Sequence, residues 1–337
     1  MKSRRGSALI IVLWTIGLLS MLVVSFAFDA HLEGKAASSA RKRRKAEHIA
    51  LSGMAVAEML LDKQSEVNVD ADEDEIGDDK WYKPAVNLKT GRGFSGLELE
   101  VGDGVLHLDM EPEPGRRNIN KLSQDDWERM LEVAGVPEDY YAELIDSFFD
   151  WTDSDDSSRS DGAESDYYEE LDPPYQARNA PVDTVRELLL IKGFSEAILS
   201  GGVLNPDDPP ESQITVSGIQ DMLTTYGDGK INVNAAGRRV LMTLPEVDEL
   251  IAGAIIEERE RGVADNGEED DTSFTSIGDL HSRIPDLPPA VDSQVAMRSD
   301  IYRVTAVGQV GRVTRRVWAI VQHSGNGMRI VRWREEP

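Results

Sequence analysis

Cysteine is absent from the 337 residues. No disulfide, thiolate zinc site or thiol nucleophile is therefore available, and cysteine usage does not identify the compartment. Basic residues are scarce as well: 36 Lys and Arg stand against 62 Asp and Glu, a formal net charge of −26. A nucleic-acid partner needs a basic surface to meet its phosphates, so that class is excluded. Histidine is thin, with His31, His48, His107, His281 and His323 scattered along the chain. Their spacing matches no zinc protease, and no nucleophile elbow is present. Gly227-Asp-Gly229 and Gly325-Asn-Gly327 are turns too short to cradle a phosphate. Carboxylate pairs abound, but nothing separates an acid from a base, so no catalytic residue is assigned and the chain is not read as an enzyme.

What the chain does have is an uncharged run. Ser7–Phe28 carries no ionisable residue and follows Lys2, Arg4, Arg5 and Gly6. At about 1.5 Å per residue this run spans roughly 33 Å as a helix, enough to cross a bilayer. A secretory signal is shorter and ends in a small-residue cleavage site after its apolar stretch. Here Asp29-Ala-His-Leu-Glu33 follows, and Ile49, Ala50, Met54, Val56, Ala57, Leu60 and Leu61 keep helical spacing beyond it. The pattern predicts one long helix from Ser7 to Leu61, with Gly34 and Gly53 as possible bends. Cleavage, if any, belongs before the apolar stretch, at Gly6; the other reading is an uncleaved signal anchor. Charge gives a conflicting orientation, because Lys35 and Arg41-Lys-Arg-Arg-Lys45 place more cations after the span than before it.

Further on, Asp70–Asp79 is acidic enough to predict a solvated loop. Leu97, Leu99 and Val101 alternate, as do Leu106, Leu108 and Met110, around Gly102-Asp-Gly104, which predicts a hairpin. A second hairpin is predicted from Ile301–Val307 and Val313–Gln322 around Gly308–Arg312, with a last strand at Met328–Trp333. Between them, residues 111–290 read as mostly helical, which makes the block an insertion into one β-meander. Its helix signals are Ser123 with Asp126 as an N-cap pair and Gly135 as the stop, then Tyr141, Leu144, Ile145 and Phe148 on one face. Val182–Ile191, ending at Gly193, and Val247–Arg261, ending at Gly262, give two more. Gly115-Arg-Arg-Asn-Ile-Asn120 is echoed by Gly229-Lys-Ile-Asn-Val-Asn234, and the asparagines are expected to satisfy backbone groups at turns.

One segment stands out chemically. Eleven carboxylates and a single cation, Arg159, lie between Asp146 and Asp172. Calcium takes six to eight oxygens, and a 12-residue loop supplies them from positions 1, 3, 5, 7, 9 and 12. Counting from Asp153, these are Asp153, Asp155, Ser157, the carbonyl of Arg159, Asp161 and Glu164. Ser158 stands where an EF-hand needs glycine, so a different oxygen cage is expected; the plain alternative is a solvated acidic loop. Leu244-Pro-Glu-Val247, Ala254–Arg259 and Phe274–Leu280 resemble a helix-hairpin-helix module, but Glu246, Asp248 and Glu249 at its turn would repel phosphate.

The basic leader, Gly6 and the following Ser-Ala-Leu-Ile-Ile-Val-Leu resemble the signal of type IV pilins and type II secretion pseudopilins. The missing carboxylate at Ile11, where most members carry Glu at the fifth mature position, resembles the GspK family of minor pseudopilins, as does the interrupted sheet. Trp151-Thr-Asp153-Ser-Asp155, Gly162-Ala-Glu164, Tyr168, Pro173-Pro-Tyr175 and Asn179-Ala-Pro181 also resemble that family's calcium-binding segment. The resemblance implies an α+β, pilin-like fold: a long N-terminal helix packed on an antiparallel sheet, with a large inserted α-helical domain. It implies a cleaved leader (1–6), a transmembrane anchor (7–28), a first pilin part (29–110), the insert (111–290) and final strands (291–337).

On the same resemblance, a prepilin peptidase cuts between Gly6 and Ser7, the new N-terminus is methylated, and the helix sits in the inner membrane with a periplasmic body. Asp150, Asp153, Asp155, Asp161 and Glu164 are the implied Ca2+ ligands, and GspI and GspJ the implied partners at the tip of a pseudopilus. Ile11 would then mark a subunit with no neighbour above it. A minor pilin-like subunit of a type IV pilus or competence system, and a membrane-tethered calcium-binding protein outside any filament, remain as alternative functions.

Overall fold

The computed structural model describes residues 5–69, 71, 79–261, 271–325 and 327–336. The first four leader residues, most of the acidic run at 70–79, and Gly262 lie outside the described residues. Helix α1 (Arg5–Glu66) is continuous, and its two parts have opposite surroundings. No side chain between Leu9 and Lys45 is buried, including the apolar stretch to Phe28. Among the described residues α1 is the one helix long and apolar enough to cross a membrane. From Ala46 onward, Ala46, Ile49, Ala50, Met54, Ala57, Leu60 and Leu61 are buried along one face, the helical spacing expected of an amphipathic segment.

That face lies on an antiparallel sheet in the order β1 (Phe94–Val101), β2 (Gly104–Pro112), β3 (Ile301–Val310), β4 (Val313–Ser324) and β5 (Gly327–Glu336). Strand alternation supplies the other half of the core: Leu106, Leu108, Met110, Val304, Ala306, Val317, Ala319 and Val321 face the helix. Both predicted hairpins and the last strand are present. The β2–β3 pairing, from Val105↔Gln309 to Pro112↔Tyr302, joins segments separated by the whole insert. A short helix, α2 (Tyr82–Lys89), connects α1 to β1 and buries Ala85 and Leu88.

The helix comes close because side chains are missing. A Cβ on Gly308 would lie 2.0 Å from the Ala46 carbonyl oxygen and 2.6 Å from the Ala50 nitrogen. One on Gly53 would lie 2.5 Å from the Ala306 Cβ. Gly53, predicted as a bend, is instead a contact point inside an unbroken helix.

The insert contains α3 (Gln124–Ala134), α4 (Tyr141–Thr152), α5 (Ser165–Glu169), α6 (Glu196–Ser200), α7 (Arg238–Leu241), α8 (Glu249–Glu260) and α9 (Ile277–Arg283). Ser123 and Asp126 form the reciprocal capping box of α3, and Gly135 ends it in the left-handed region at φ 79°. The third predicted helix is different: Val185–Leu190 is a 3₁₀ helix. Its apolar residues Val182, Val185, Leu188 and Ile191 recur every three positions, the period at which 3₁₀ side chains eclipse. The insert is also less regular than the predicted helical block, because its loops are fixed by side-chain hydrogen bonds rather than by helix ladders.

The echoed asparagines do this work. Asn118 Oδ1 accepts from the Asn120 nitrogen and Asn232 Oδ1 from the Asn234 nitrogen, each at 3.0 Å, the expected turn-stabilising bond. Beyond that, Asn232 Nδ2 donates to the Gly91 carbonyl, and Asn234 Nδ2 faces the carbonyls of Thr90, Phe274 and Met297. Both residues therefore tie the insert to the segment between α2 and β1. Glu113, fully buried where β2 leaves the sheet, adds a second tie: Arg303 of β3 donates to both its oxygens at 2.8 and 2.9 Å. The Thr224 hydroxyl of the insert donates to the same carboxylate.

Because backbone atoms of α1 occupy the space above Gly308, Gly308→Ala is expected to cost about 1–3 kcal/mol. Thermal melting of the full-length protein checks this, with Gly278→Ala in exposed helix α9 as the control that changes stability by no more than about 1 kcal/mol.

Candidate metal centre

Helix α4 delivers the first carboxylates. Its buried face carries Leu144, Ile145, Phe148 and Trp151, which places Asp150 at 0% exposure beside the helix end. Asp153 caps that end in extended conformation, and the chain then loops outward until Ala163 and Glu164 return to the interior before α5. Asp150, Asp153 and Glu164 each contribute an oxygen, and these oxygens all lie within 4.8 Å of one another. Two oxygens about 2.4 Å from one calcium ion are at most about 4.8 Å apart, so the three fit a single ion.

The electrostatics agree with that geometry. Glu164 is 3% exposed and neither carboxylate oxygen has a hydrogen-bond partner. Buried carboxylates are normally hydrogen-bonded or paired, so this is an unusual arrangement. Burial, followed by the charges of Asp150, Asp153, Asp156 and Asp155, raises the Glu164 pKa to about 7. Burial also pushes Asp150 up, with Asp153 adding to the effect, against backbone hydrogen bonds from Arg159 and Ala163. Arg159 approaches these acids only loosely, at 3.9 Å from Asp150 and 3.7 Å from Asp146. A cation between the three carboxylates would neutralise what the protein leaves uncompensated.

The remaining candidates sit elsewhere on the loop. Asp155 is exposed and accepts from the Ser157 nitrogen at 2.9 Å. Asp161 is exposed, with its nitrogen donating to Asp146 Oδ2 at 3.2 Å. The Arg159 carbonyl already accepts from the Gly162 nitrogen. The structure thus brings together Asp150, Asp153 and Glu164 and leaves Asp155 and Asp161 on the outside. Gly6 and Ser7 lie in the first turn of α1, and Ile11 is exposed on it.

Two residues not included among the sequence candidates shape the site. A Cβ on Gly162 would fall 1.9 Å from Asp150 Oδ2, so only glycine leaves that oxygen its place. Asn179, in the left-handed region at φ 49°, donates its nitrogen to the Trp151 carbonyl and its Nδ2 to the Asp155 carbonyl, while its buried Oδ1 has no partner. The Asn-Ala-Pro sequence was the signal for it. Behind the carboxylates, Trp151 meets Tyr168 edge-on, Tyr168 stacks on Tyr175, and Lys192 Nζ holds the carbonyls of Asp161 and Gly162.

The comparisons with known proteins match this description. A family model described as type II secretion system (T2SS), protein K matches residues 107–201, which include the carboxylate cluster. Type II secretion system protein K of Pseudomonas aeruginosa is 28% identical over 273 residues, covering 77% of this chain and 74% of that one. The protein of the same name from Aeromonas hydrophila is 27% identical over 207 residues, spanning 58% of this chain and 60% of its own length. In fold, the chain is similar to one in the crystal structure of the GspK-GspI-GspJ complex from the enterotoxigenic Escherichia coli type 2 secretion system. The TM-score is 0.62 at 11% identity, covering 90% of this chain and 99% of that one. Taken with the insert spliced between β2 and β3, these likenesses make the chain similar in sequence to type II secretion system protein K and similar in fold to a chain of the GspK-GspI-GspJ complex.

Proposed function

We propose that this chain is a minor pseudopilin that caps the tip of a type II secretion pseudopilus and assembles there with GspI and GspJ, acting as a structural part rather than a catalyst. The observation that carries this reading is the division of α1: an apolar stretch without packing partners continues into a segment buried on the sheet. The bare stretch suits an inner-membrane anchor before assembly and a filament core after it. The insert widens the periplasmic body beyond the sheet, which favours a position with no subunit above it. Ile11 in place of a carboxylate supports the same position, since an acid inside a membrane helix costs on the order of 2–3 kcal/mol or more and is retained where it has a partner. We further propose that a prepilin peptidase cuts after Gly6 and that the new N-terminus is methylated.

Calcium is the cation we assign to Asp150, Asp153 and Glu164, because an all-oxygen, acidic donor set suits a hard divalent ion. Water and backbone carbonyls would complete its coordination. Its role is structural: it would fix the loop after α4 against the aromatic stack.

Four outcomes are expected. Mass spectrometry of the membrane-extracted protein should give Ser7, methylated, as the first residue; an N-terminus beginning at Met1 would contradict processing. Affinity capture of the protein from a type II-secreting cell should bring down GspI and GspJ together, and their absence would contradict the assembly. For the metal, millimolar Ca2+ should raise the melting temperature and a chelator should reverse the gain, with about 2.7 kcal/mol of stabilisation at a hundredfold excess over Kd. In chelator, Glu164 binds its proton more tightly folded (pKa about 7) than at its ordinary value of 4.5. Stability should therefore fall as pH rises through that window, and Glu164→Gln should remove that part of the fall.

A further inference from the structure

The face of the sheet turned away from α1 carries a charge pattern that the assembly reading does not use. Cross-strand pairing sets Trp318 beside Arg334 and Ile320 beside Arg332 on β4 and β5. These four line a cleft of about 710 Å³ together with Arg186 and Tyr226 of the insert. Arg316 and Arg329 extend the same face along β4 and β5, where they reach Glu336 and Gln322. A strip so rich in arginine is unexpected in a chain of net charge −26.

The acids near the cleft are already engaged. Glu113 is held by Arg303, Asp183 by Arg178 at 2.7 Å and Asp221 by Arg239 at 2.8 Å. Arg332 is held by the Asp183 backbone carbonyl rather than by a carboxylate. Glu336 shows how a carboxylate is received at the arginine end of this strip. Glu336, at the end of β5, accepts from Trp318 Nε1 at 3.3 Å and lies 3.7 Å from Arg334 and 3.9 Å from Arg316. Those ion-pair distances are loose, and both arginines are more than half exposed, so the contact is readily exchanged.

We propose that this cleft binds an extended acidic segment of a partner protein, with Glu336 holding part of the site in its absence. Arginine forks match carboxylates in the bidentate manner that Arg303 and Glu113 already display here. The half-buried Trp318 between the arginines supplies an apolar surface for a side chain of an extended peptide, with buried Ile320 packed beneath the strip. A phosphate polymer has no use for that surface, which is why a peptide is favoured. Such binding requires neither the calcium site nor any particular tip partner.

The test is fluorescence anisotropy with the full-length protein in uncharged detergent and a labelled peptide alternating glutamate and valine. The glutamate peptide should bind, and its glutamine counterpart should bind at least tenfold more weakly. Charge reversal at both Arg332→Glu and Arg334→Glu should weaken binding at least tenfold, whereas Arg312→Glu in the β3–β4 turn should leave it unchanged. Glu336→Gln should tighten binding several-fold, a gain that misfolding cannot produce. Equal binding of the glutamine peptide, or unchanged affinity in either the double variant or Glu336→Gln, would overturn the proposal. So would displacement by polyphosphate at concentrations below those of unlabelled peptide, since the face would then be reading phosphate.

Discussion

The contact on which the rest of the structure depends is the approach of α1 to β3 through Gly308, where the helix backbone takes the space of a missing side chain. With Ala46, Ala50 and Gly53 on the helix and Ala306 on the strand, the packing is set by small residues that allow backbone-to-backbone proximity. Close packing of this kind tolerates little change in volume. It fixes where the buried part of the helix ends, so the direction of the bare apolar part follows from it. It also holds β3 next to β2, and the insert leaves and returns at the neighbouring ends of those two strands.

Polar ties then fix the insert to that platform. The buried Glu113 carboxylate joins β3 to Thr224 of the insert, and Asn232 and Asn234 bond to carbonyls before β1. A buried carboxylate left alone would be costly, and the bidentate arginine compensates it. The contrast with Glu164 is instructive, because both glutamates are buried but only Glu113 has its cation within the protein. The uncompensated carboxylates around Glu164 are what a bound calcium ion would complete, linking the order of the loop after α4 to an external ligand.

Much of the fold was legible because its elements are long and periodic. The alternation around Gly102-Asp-Gly104 and Gly308–Arg312 gave both hairpins, although the second turn is confined to Gly311-Arg312 because the strand runs on to Val310, and the spacing from Ala46 to Leu61 gave the buried helix face. The 3₁₀ turn at Val185–Leu190 was read as an α-helix, although its three-residue apolar period was visible in the sequence. Two-residue pairings such as Arg117-Asn118 with Leu223-Thr224 carry no periodic signal at all. In the acidic loop, spacing pointed to Asp153, Asp155, Asp161 and Glu164 and the family resemblance added Asp150, but only tertiary packing turns Asp150, Asp153 and Glu164 inward while Asp155 and Asp161 face solvent. The need for glycine at Gly162 depends on the position of Asp150 Oδ2, which no linear motif specifies.

The central claim is that the insert confines this subunit to a filament end. The absence of native cysteine allows a direct measurement: a single cysteine in place of exposed Ser158, biotinylated and marked with gold, on pseudopili imaged by electron microscopy. Gold is expected at one end of each filament and none along its length. Gold distributed along the filaments would contradict it.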